Sequence, residues 1–211
     1  MVTHQSNEAS PPQKRDVVRI VGDVHGRIGA YKRAIAEAAY SVQLGDMGFK
    51  KHYKILNFAE IDPSRHVFIP GNHDDYRQLP AHALGLFGTR ELGPASFFWV
   101  RGAASPDKRM RIPGESWWPE EELTYREGLR ALDLYKAAKP RLVLSHDCPG
   151  SVSAQWLGTA RPSRTGQLLD ALLEHHQPDL WLFGHHHRSI KIALGQTTFR
   201  GLGELEAWDL S

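Results

Sequence analysis

Short hydrophobic runs that stop at glycine or at a polar cluster recur along the chain. The first run, residues 17–21, is rich in β-branched residues and stops at Gly22, and alanine-rich helical spacing follows over residues 31–39. The start of the chain is therefore predicted to be a strand, a loop and a helix. The same pattern of short runs predicts strands at residues 40–44, 66–69, 97–100, 141–144 and 179–183.

Two longer helices are predicted in the second half. Pro119 at a first helical position, acidic residues 120–122 in the first turn and Pro140 as a stop define one of them. The other carries leucines at positions 168, 169, 172 and 173. Residues 101–118 lack a clear period and are predicted to be irregular or a hairpin. Short antiparallel strands are predicted at the end of the chain, at residues 190–194, 197–200 and 205–208.

This order of elements predicts an α/β fold with two mixed β-sheets packed face to face, a β-sandwich flanked by helices. The length of 211 residues suits one domain with its own core. We predict a flexible N-terminal tail over residues 1–15 and a single domain over residues 16–211. In such folds, binding sites gather on the loops beyond the carboxyl ends of the strands.

Composition narrows the function classes. The formal net charge is +2, so the chain lacks the basic excess of a protein held mainly by a nucleic-acid backbone, and nucleic acid stays open only as a substrate. Cys148 is the only cysteine, which excludes an internal disulfide and a cysteine-rich zinc module. No apolar stretch is long enough to span a membrane. The cytoplasm is therefore the predicted location.

Five polar blocks follow the hydrophobic runs, and each carries residues that bind divalent cations. The blocks are Gly22-Asp23-Val24-His25-Gly26, Gly45-Asp46, Gly71-Asn72-His73-Asp74, Ser145-His146-Asp147 and Gly184-His185-His186-His187. Because each block lies at the end of a predicted strand, we expect the five to form one site. His186 is expected to point away from the metals that its two neighbours bind.

The mixture of donor atoms favours transition metals. Carboxylate and amide oxygens suit hard cations, whereas imidazole suits zinc, iron, manganese and similar ions. In two-metal sites the ions lie about 3.5–4 Å apart, and a metal lowers the pKa of bound water from about 15.7 toward ~7. Asp46 is the natural bridge between two ions, and His73 is the candidate acid for the leaving group. The pattern thus predicts a two-metal phosphoester hydrolase in which a metal-bridging hydroxide attacks phosphorus in line.

With its blocks in this order, the chain resembles the calcineurin-like metallophosphoesterase superfamily, whose motifs are D-x-H, G-D, G-N-H-D/E, H and G-H-x-H. The first block is similar to that of the protein serine/threonine phosphatase branch. The segment after Asp46 lacks the Asp-Arg pair of that branch, and Asp147-Cys148-Pro149 looks more like small bacterial and phage members. The resemblance therefore points to a small bacterial or phage-type member.

The resemblance implies a four-layer fold, two divalent ions (Mn, Fe, Zn or Ni) and a set of site residues. By resemblance, the first ion is bound by Asp23, His25, Asp46 and His187. The second is bound by Asp46, Asn72, His146 and His185. His73 and Asp46 are the expected catalytic residues, with His73 binding or protonating the phosphate. Arg27, Asn72 and His73 are the expected substrate-binding residues.

Several interpretations stay open at this stage. Asp74 either orients the His73 ring or makes a simple loop hydrogen bond. A basic cluster, Lys50, Lys51 and Lys54, is interpreted first as solvated surface and otherwise as a steering patch for a phosphorylated substrate. The arginines that could bind a phosphate are Arg27, Arg101, Arg109, Arg111, Arg161 and Arg164.

Three functions compete. The leading hypothesis is a phosphomonoesterase acting on a phosphorylated small molecule, a nucleotide or a phosphoprotein. A phosphodiesterase or nuclease would use the same site with a pocket for a second ester arm. A non-catalytic scaffold on the same fold is the third, but such a protein should have lost ligands, and every one is present here.

Overall fold

The computed structural model describes residues 15–48, 60–158 and 163–210. The predicted tail at residues 1–15 therefore lies almost wholly outside the described residues, as do Lys50, Lys51, Lys54 and Arg161. The first half contains β1 (Arg15–Val21), α1 (Ile28–Ile35), β2 (Ala38–Gln43), β3 (His66–Phe68), β4 (Phe87–Leu92) and β5 (Ala95–Val100). The second half contains α2 (Tyr125–Ala138), β6 (Leu142–Ser145), α3 (Gly150–Leu157), α4 (Arg164–His175), β7 (Leu180–Phe183), β8 (Ile190–Leu194), β9 (Thr197–Gly201) and β10 (Ala207–Leu210).

These strands form two mixed sheets. The first has the order β10-β1-β2-β3, and the second has the order β4-β5-β6-β7-β9-β8. β1, β2 and β3 are parallel, as are β5, β6, β7 and β9, while β10, β4 and β8 pair antiparallel at the sheet ends. The predicted α/β fold with two mixed sheets is confirmed.

Alternation along the strands separates the core into layers. In β1, Val18 and Ile20 pack in the cluster between the two sheets, whereas Val21 packs in an outer cluster with Tyr31 of α1. In β6, Leu144 faces the space between the sheets. On the other face of this sheet, Val143 of β6, Trp181 of β7 and Phe199 of β9 pack against α2, α3 and α4. Because successive side chains of a strand point to opposite faces, each sheet buries both faces, and four layers result.

Three helix boundaries differ from the sequence prediction, and the first is the start of α1, which lies at Ile28 and not at residue 31. α1 ends at Ile35 rather than at residue 39, because Ala38 already pairs with β1 as the start of β2. α2 begins at Tyr125 rather than at Pro119, since Thr124 forms a capping box with Glu127, and residues 119–121 make only a 3₁₀ turn. Pairing to a neighbouring strand and side-chain capping thus override helical composition.

Two elements were missed, and one was displaced. β4 forms a hairpin with β5, and α3 fills part of the segment between β6 and α4. β10 lies at Ala207–Leu210, two residues later than predicted, where it pairs with β1. Residues 101–118 are irregular, with one 3₁₀ turn at Lys108–Met110. Among the described residues, the helices are all too short or too polar to cross a lipid bilayer.

Candidate metal centre

The five polar blocks lie at the carboxyl ends of five parallel strands. Asp23 follows β1, Asp46 follows β2, Asn72 follows β3, and His146 follows β6. The loops after β1 and β2 are joined by the backbone amides of Val24 and His25, which both donate to the carbonyl oxygen of Asp46 at 3.1 and 2.8 Å. The parallel arrangement therefore gathers side chains that are far apart along the chain.

Glycine makes this close approach of the loops sterically feasible. A Cβ atom at Gly45, whose φ is +110°, would overlap the His146 ring. A Cβ atom at Gly184 would overlap the Asp23 carboxylate. At both positions the absent side chain provides the space for a candidate ligand.

One set of ligand atoms comes from Asp23, His25, Asp46 and His187, which offer donor atoms all within 4.8 Å of one another. The Nε2 atoms of His25 and His187 are 2.9 Å apart. Asp23 Oδ2 lies 3.1 Å from His187 Nε2 and 3.7 Å from His25 Nε2. Asp46 Oδ2 lies 3.9 Å from His25 Nε2.

A second set shares Asp46 with the first. Asp46, His146 and His185 also offer donor atoms within 4.8 Å of one another. His146 Nε2 lies 3.4 Å from Asp46 Oδ1 and 3.0 Å from Asn72 Oδ1. The structure thus brings together, in two groups joined by Asp46, all the residues that were expected to bind metal.

The chemistry of these atoms fits two cations. Asp23 Oδ2 and Asp46 Oδ2 are buried and accept no hydrogen bond. His146 Nδ1 lies 2.7 Å from the Leu44 carbonyl oxygen and must donate to it, so a neutral His146 turns the lone pair of Nε2 toward two oxygens. Converging lone pairs repel one another unless a cation lies between them, and unpaired buried carboxylate oxygens are costly.

The electrostatics of the centre also favour a positive charge beside Asp46. Burial opposes ionisation of Asp46, yet the His146 imidazole outweighs burial and holds the pKa of Asp46 well below its usual range. Burial also opposes a charged His146, but the Asp46 carboxylate raises its pKa to about 10. Burial lowers the pKa of His185 to about 4, so that imidazole is neutral near pH 7. A positive charge next to Asp46 is therefore strongly favoured.

The backbone is strained at the same places. His25, Asp46, His185 and His187 all have positive φ values, between 48° and 62°. Residues with side chains adopt this left-handed conformation at a cost of about 1–3 kcal/mol each. Such strain persists where the surrounding structure imposes it, and here it coincides with the candidate ligands.

The sequence matches a known protein family over most of its length. A family model described as calcineurin-like phosphoesterase matches residues 6–189. The chain belongs to this family. Membership implies a hydrolase that acts on phosphoesters, and members of the calcineurin-like phosphoesterase family use divalent metals. No curated protein matches the sequence.

Solved structures share the fold of this calcineurin-like phosphoesterase at low identity. A putative 5'-nucleotidase from Staphylococcus aureus in complex with alpha-ketoglutarate has a TM-score of 0.55 and 14% identity, covering 92% of this chain and 50% of that chain. The phosphopantetheinyl hydrolase from Mycobacterium tuberculosis has a TM-score of 0.50 and 13% identity, covering 89% of both chains. The present chain thus spans half of the first and most of the second.

Two residues that the sequence did not single out, Ser105 and Glu121, hold the Asn72 side chain in place. Glu121 accepts from the Ser105 hydroxyl at 2.6 Å and from the Ser105 amide at 2.9 Å. Because the hydroxyl proton is engaged there, the oxygen of Ser105 accepts from Asn72 Nδ2 at 3.1 Å. This chain of hydrogen bonds fixes the Asn72 amide so that Oδ1 points into the centre. Glu121 follows no recognisable motif.

Asp74 holds the loops around the centre together. Its carboxylate accepts from the backbone amides of Gly48 at 2.7 Å and Gly71 at 2.8 Å, so it joins the loops after β2 and β3. Of the two interpretations left open for Asp74, these contacts match the loop hydrogen bond. Asp46 Oδ1 adds a further tie, since it accepts from the amide of His73 at 2.7 Å.

Arg111 is the candidate phosphate-binding arginine that the structure brings to His73. Its Nη2 lies 2.9 Å from His73 Nε2, and its Nε lies 2.7 Å from Asp107. The Arg111 side chain is only 9% exposed, so its guanidinium is held in place. His73 Nε2 lies 3.9 Å from Asp46 Oδ2, at the edge of the centre.

Arg27 lies at the rim on the other side. Its Nη2 donates to Glu204 at 2.6 Å, and Glu204 in turn lies 3.5 Å from His187 Nδ1. Arg101 stacks over the ring of Tyr76, and Arg164 lies 3.9 Å from Glu122. The role of Arg27 in substrate binding stays a prediction.

A cleft of about 750 Å³ opens beside His185. The residues that line it include Ser105, Glu122, Cys148, Leu157 and His186. The cleft mixes polar and apolar groups and is large enough for a ligand of small-molecule size.

Proposed function

We propose that this calcineurin-like phosphoesterase is a two-metal phosphomonoesterase. Asp46 carries the proposal, because this buried carboxylate is 1% exposed, belongs to both ligand sets and has one oxygen without a hydrogen bond. Asp23, His25 and His187 would complete the site for one ion. His146, His185 and Asn72 would complete the site for the other.

The mixed oxygen and imidazole donors suit manganese, iron, zinc or nickel. When bound, two such ions supply charge neutralisation at the phosphoryl oxygens and a lowered pKa for water. The protein itself supplies a rigid frame. Asp74 fixes the loops of Asp46 and Asn72, and Glu121 fixes the Asn72 amide through Ser105.

His73 and Arg111 would hold the substrate. A guanidinium can only donate hydrogen bonds, so His73 Nε2 accepts from Arg111 in this arrangement. A phosphoryl oxygen that enters between them can accept from Arg111 and from protonated His73 together. In that position His73 would also be placed to give its proton to the leaving oxygen.

A phosphodiesterase is the second candidate, and the cleft beside His185 is the observation that favours it. Its volume of about 750 Å³ exceeds what a phosphoryl group alone occupies, so a second ester arm could lie along Cys148 and Leu157. A phosphorylated small molecule, a nucleotide or a phosphoprotein fits the monoesterase proposal, with nucleic acid only as a diester substrate.

The two candidates are separated by substrates with one and two ester arms. Protein stripped of metal and reloaded with manganese, iron, zinc or nickel is assayed with p-nitrophenyl phosphate and with bis-p-nitrophenyl phosphate. We expect metal-dependent release of phosphate from the monoester. Turnover of the diester alone would favour the phosphodiesterase, and no turnover of either would contradict both candidates.

Asp46→Asn tests the site itself, with Asp133→Asn on the exposed face of α2 as the matched control. We expect Asp46→Asn to lower kcat by at least about a hundred-fold. Bound metal, measured by elemental analysis, should fall from two ions per chain. Wild-type metal content and wild-type kcat in Asp46→Asn would refute the shared-ligand arrangement.

A further inference from the structure

A third group of side chains of the types that bind metals lies beside the centre and supplies no ligand to the two ions proposed above. Asp147 and Cys148 follow His146 in the chain, and His186 lies between His185 and His187. Donor atoms of Asp147, Cys148 and His186 all lie within 4.8 Å of one another. His186 Nε2 lies 3.4 Å from Cys148 Sγ and 3.2 Å from Asp147 Oδ1.

The surrounding structure holds these side chains in place. Cys148 is 1% exposed, and its backbone amide donates to Asp147 Oδ1 at 2.8 Å. The His186 ring packs edge-on against the rings of Trp156 and Phe183, with centroids 5.3 and 5.9 Å away. The cluster is therefore part of the packed wall and not a chance meeting of mobile surface groups.

The direction of the contacts distinguishes a cation site from a proton relay. In a relay the thiol contacts one ring nitrogen of the histidine, and the carboxylate contacts the other. Here Cys148 Sγ and Asp147 Oδ1 both approach His186 Nε2. A single N–H reaches both partners only as a bifurcated hydrogen bond, whereas a cation can accept a lone pair from all three atoms.

Chemistry argues against a free thiolate nucleophile as well. Burial, reinforced by the Asp147 charge, raises the pKa of the Cys148 thiol well above its usual value. A thiol in this state is a weak nucleophile at neutral pH, because the thiolate is the reactive form.

The spacing matches a tetrahedral ion. With a metal–sulfur bond of about 2.3 Å and a metal–nitrogen bond of about 2.0–2.1 Å, tetrahedral ligands lie roughly 3.3–3.6 Å apart. The observed separation of 3.4 Å lies within this range, and that of 3.2 Å lies just below it. A thiolate and a carboxylate together also balance the charge of a divalent ion.

We propose that Asp147, Cys148 and His186 form a third cation site, which binds zinc or another divalent ion that accepts sulfur ligands. Thiolate, imidazole and carboxylate together favour this class of ion over magnesium or calcium. The three residues line the 750 Å³ cleft next to His185, so an ion can enter from the cleft. With three protein ligands, one tetrahedral position stays open for water or a ligand.

The sole cysteine makes the site directly observable. Cadmium, a stand-in for zinc, gives an ultraviolet charge-transfer absorption only when it binds a thiolate, and Cys148 is the only cysteine of the chain. Ions at the Asp46 centre bind no sulfur and do not contribute. Titration of the full-length protein with cadmium should therefore give a saturable band equivalent to one cadmium–thiolate bond per chain.

Variants of the other two ligands decide between a built site and a thiol that binds cadmium alone. We expect Asp147→Asn and His186→Gln each to weaken cadmium binding, followed at the same band, by about ten-fold or more. His175→Gln, an exposed histidine of α4, is the matched control and should bind as wild type. Near-ultraviolet circular dichroism verifies that each variant is folded.

Two results would overturn the proposal. One is the absence of a cadmium–thiolate band in the folded wild-type protein at saturating cadmium. The other is a band whose cadmium affinity is unchanged in both Asp147→Asn and His186→Gln, which would assign it to Cys148 alone. Neither result depends on phosphoesterase activity, so the proposal can fail while the proposed function stands.

Discussion

At the scale of single residues, Arg111 offers the sharpest test of substrate binding. Its guanidinium contacts His73 through Nη2 and Asp107 through Nε, so two different edges of the planar group each have a partner. Lysine has one ammonium group and cannot reproduce that fork. We expect Arg111→Lys to raise KM for a phosphomonoester and to lower kcat/KM by about ten- to a hundred-fold in steady-state assays.

The neighbouring Arg109 supplies the control for Arg111. It is exposed on the 3₁₀ turn at Lys108–Met110, so Arg109→Lys should leave kcat/KM within about two-fold of wild type. Metal content should stay at the wild-type value in both variants, because neither arginine belongs to a ligand set. Equal kinetics of the two variants would remove Arg111 from the proposed phosphate site.

Sequence could indicate the candidate ligands because each belongs to a short block with its own spacing. The structure brings Asp23, His25 and Asp46 together as that spacing implied, while their role as ligands stays a prediction. Arg111 and Glu121 could not be selected in the same way. Each lies in a segment without periodicity, and its meaning depends on a contact across the fold, with His73 or Ser105.

At the scale of elements, the start of α2 is set by capping and not by composition. The Thr124 hydroxyl accepts from the Glu127 amide at 3.3 Å, and the Glu127 carboxylate accepts from the Thr124 amide at 2.8 Å. Loss of such a cap costs about 1 kcal/mol, within a range of roughly 0.5–2. Thr124→Ala should therefore lower the free energy of unfolding by about 1 kcal/mol in urea denaturation.

Thr124→Ser is the matched control because it keeps the hydroxyl. It should retain most of the stability, and both variants should keep wild-type kcat, since Thr124 lies outside the ligand sets. If Thr124→Ala were as stable as Thr124→Ser, the capping box would not be what starts α2. The sequence carries the Thr-x-x-Glu signature of a capping box at Thr124 and Glu127, but the acidic residues after Pro119 favoured a first turn there instead.

The strands were easier to foresee than the short connecting elements. β7 is a continuous hydrophobic run, and β1 and β3 are rich in hydrophobic residues, because both faces of a sheet in a four-layer fold are buried. β4 and α3 carry weaker patterns, since β4 has exposed positions and α3 begins with glycine and serine. Their structure follows from the pairing of β4 with β5 and from the packing of Val152 against α4.

At the scale of the whole molecule, the two buried histidines of the second ligand set make the stability of the metal-free protein depend on pH in opposite ways. Asp46 raises the pKa of His146 from 6.5 to about 10 against the effect of burial. Its stabilising contribution is complete below pH 6.5 and is lost as the pH rises toward 10. Burial lowers the pKa of His185 to about 4, so its contribution is complete above pH 6.5 and is lost as the pH falls toward 4.

The metal-free protein should therefore be most stable near pH 6.5 and lose stability on both sides. Two other groups add to the decline on the alkaline side: the Asp23 carboxylate raises the pKa of His187, and burial raises the pKa of Cys148, whose thiol titrates near about pH 8.5 in the unfolded chain. Urea denaturation at about pH 5, 6.5 and 8.5 measures how the free energy of unfolding depends on pH.

With ions bound, His146 acts as a neutral ligand, so metal loading should release a proton between pH 6.5 and 9 and abolish the alkaline decline. A metal-free protein whose stability rises steadily from pH 6.5 to 8.5 would show that Asp46 and His146 are not paired in the fold, and the charge balance inferred for the centre would be wrong.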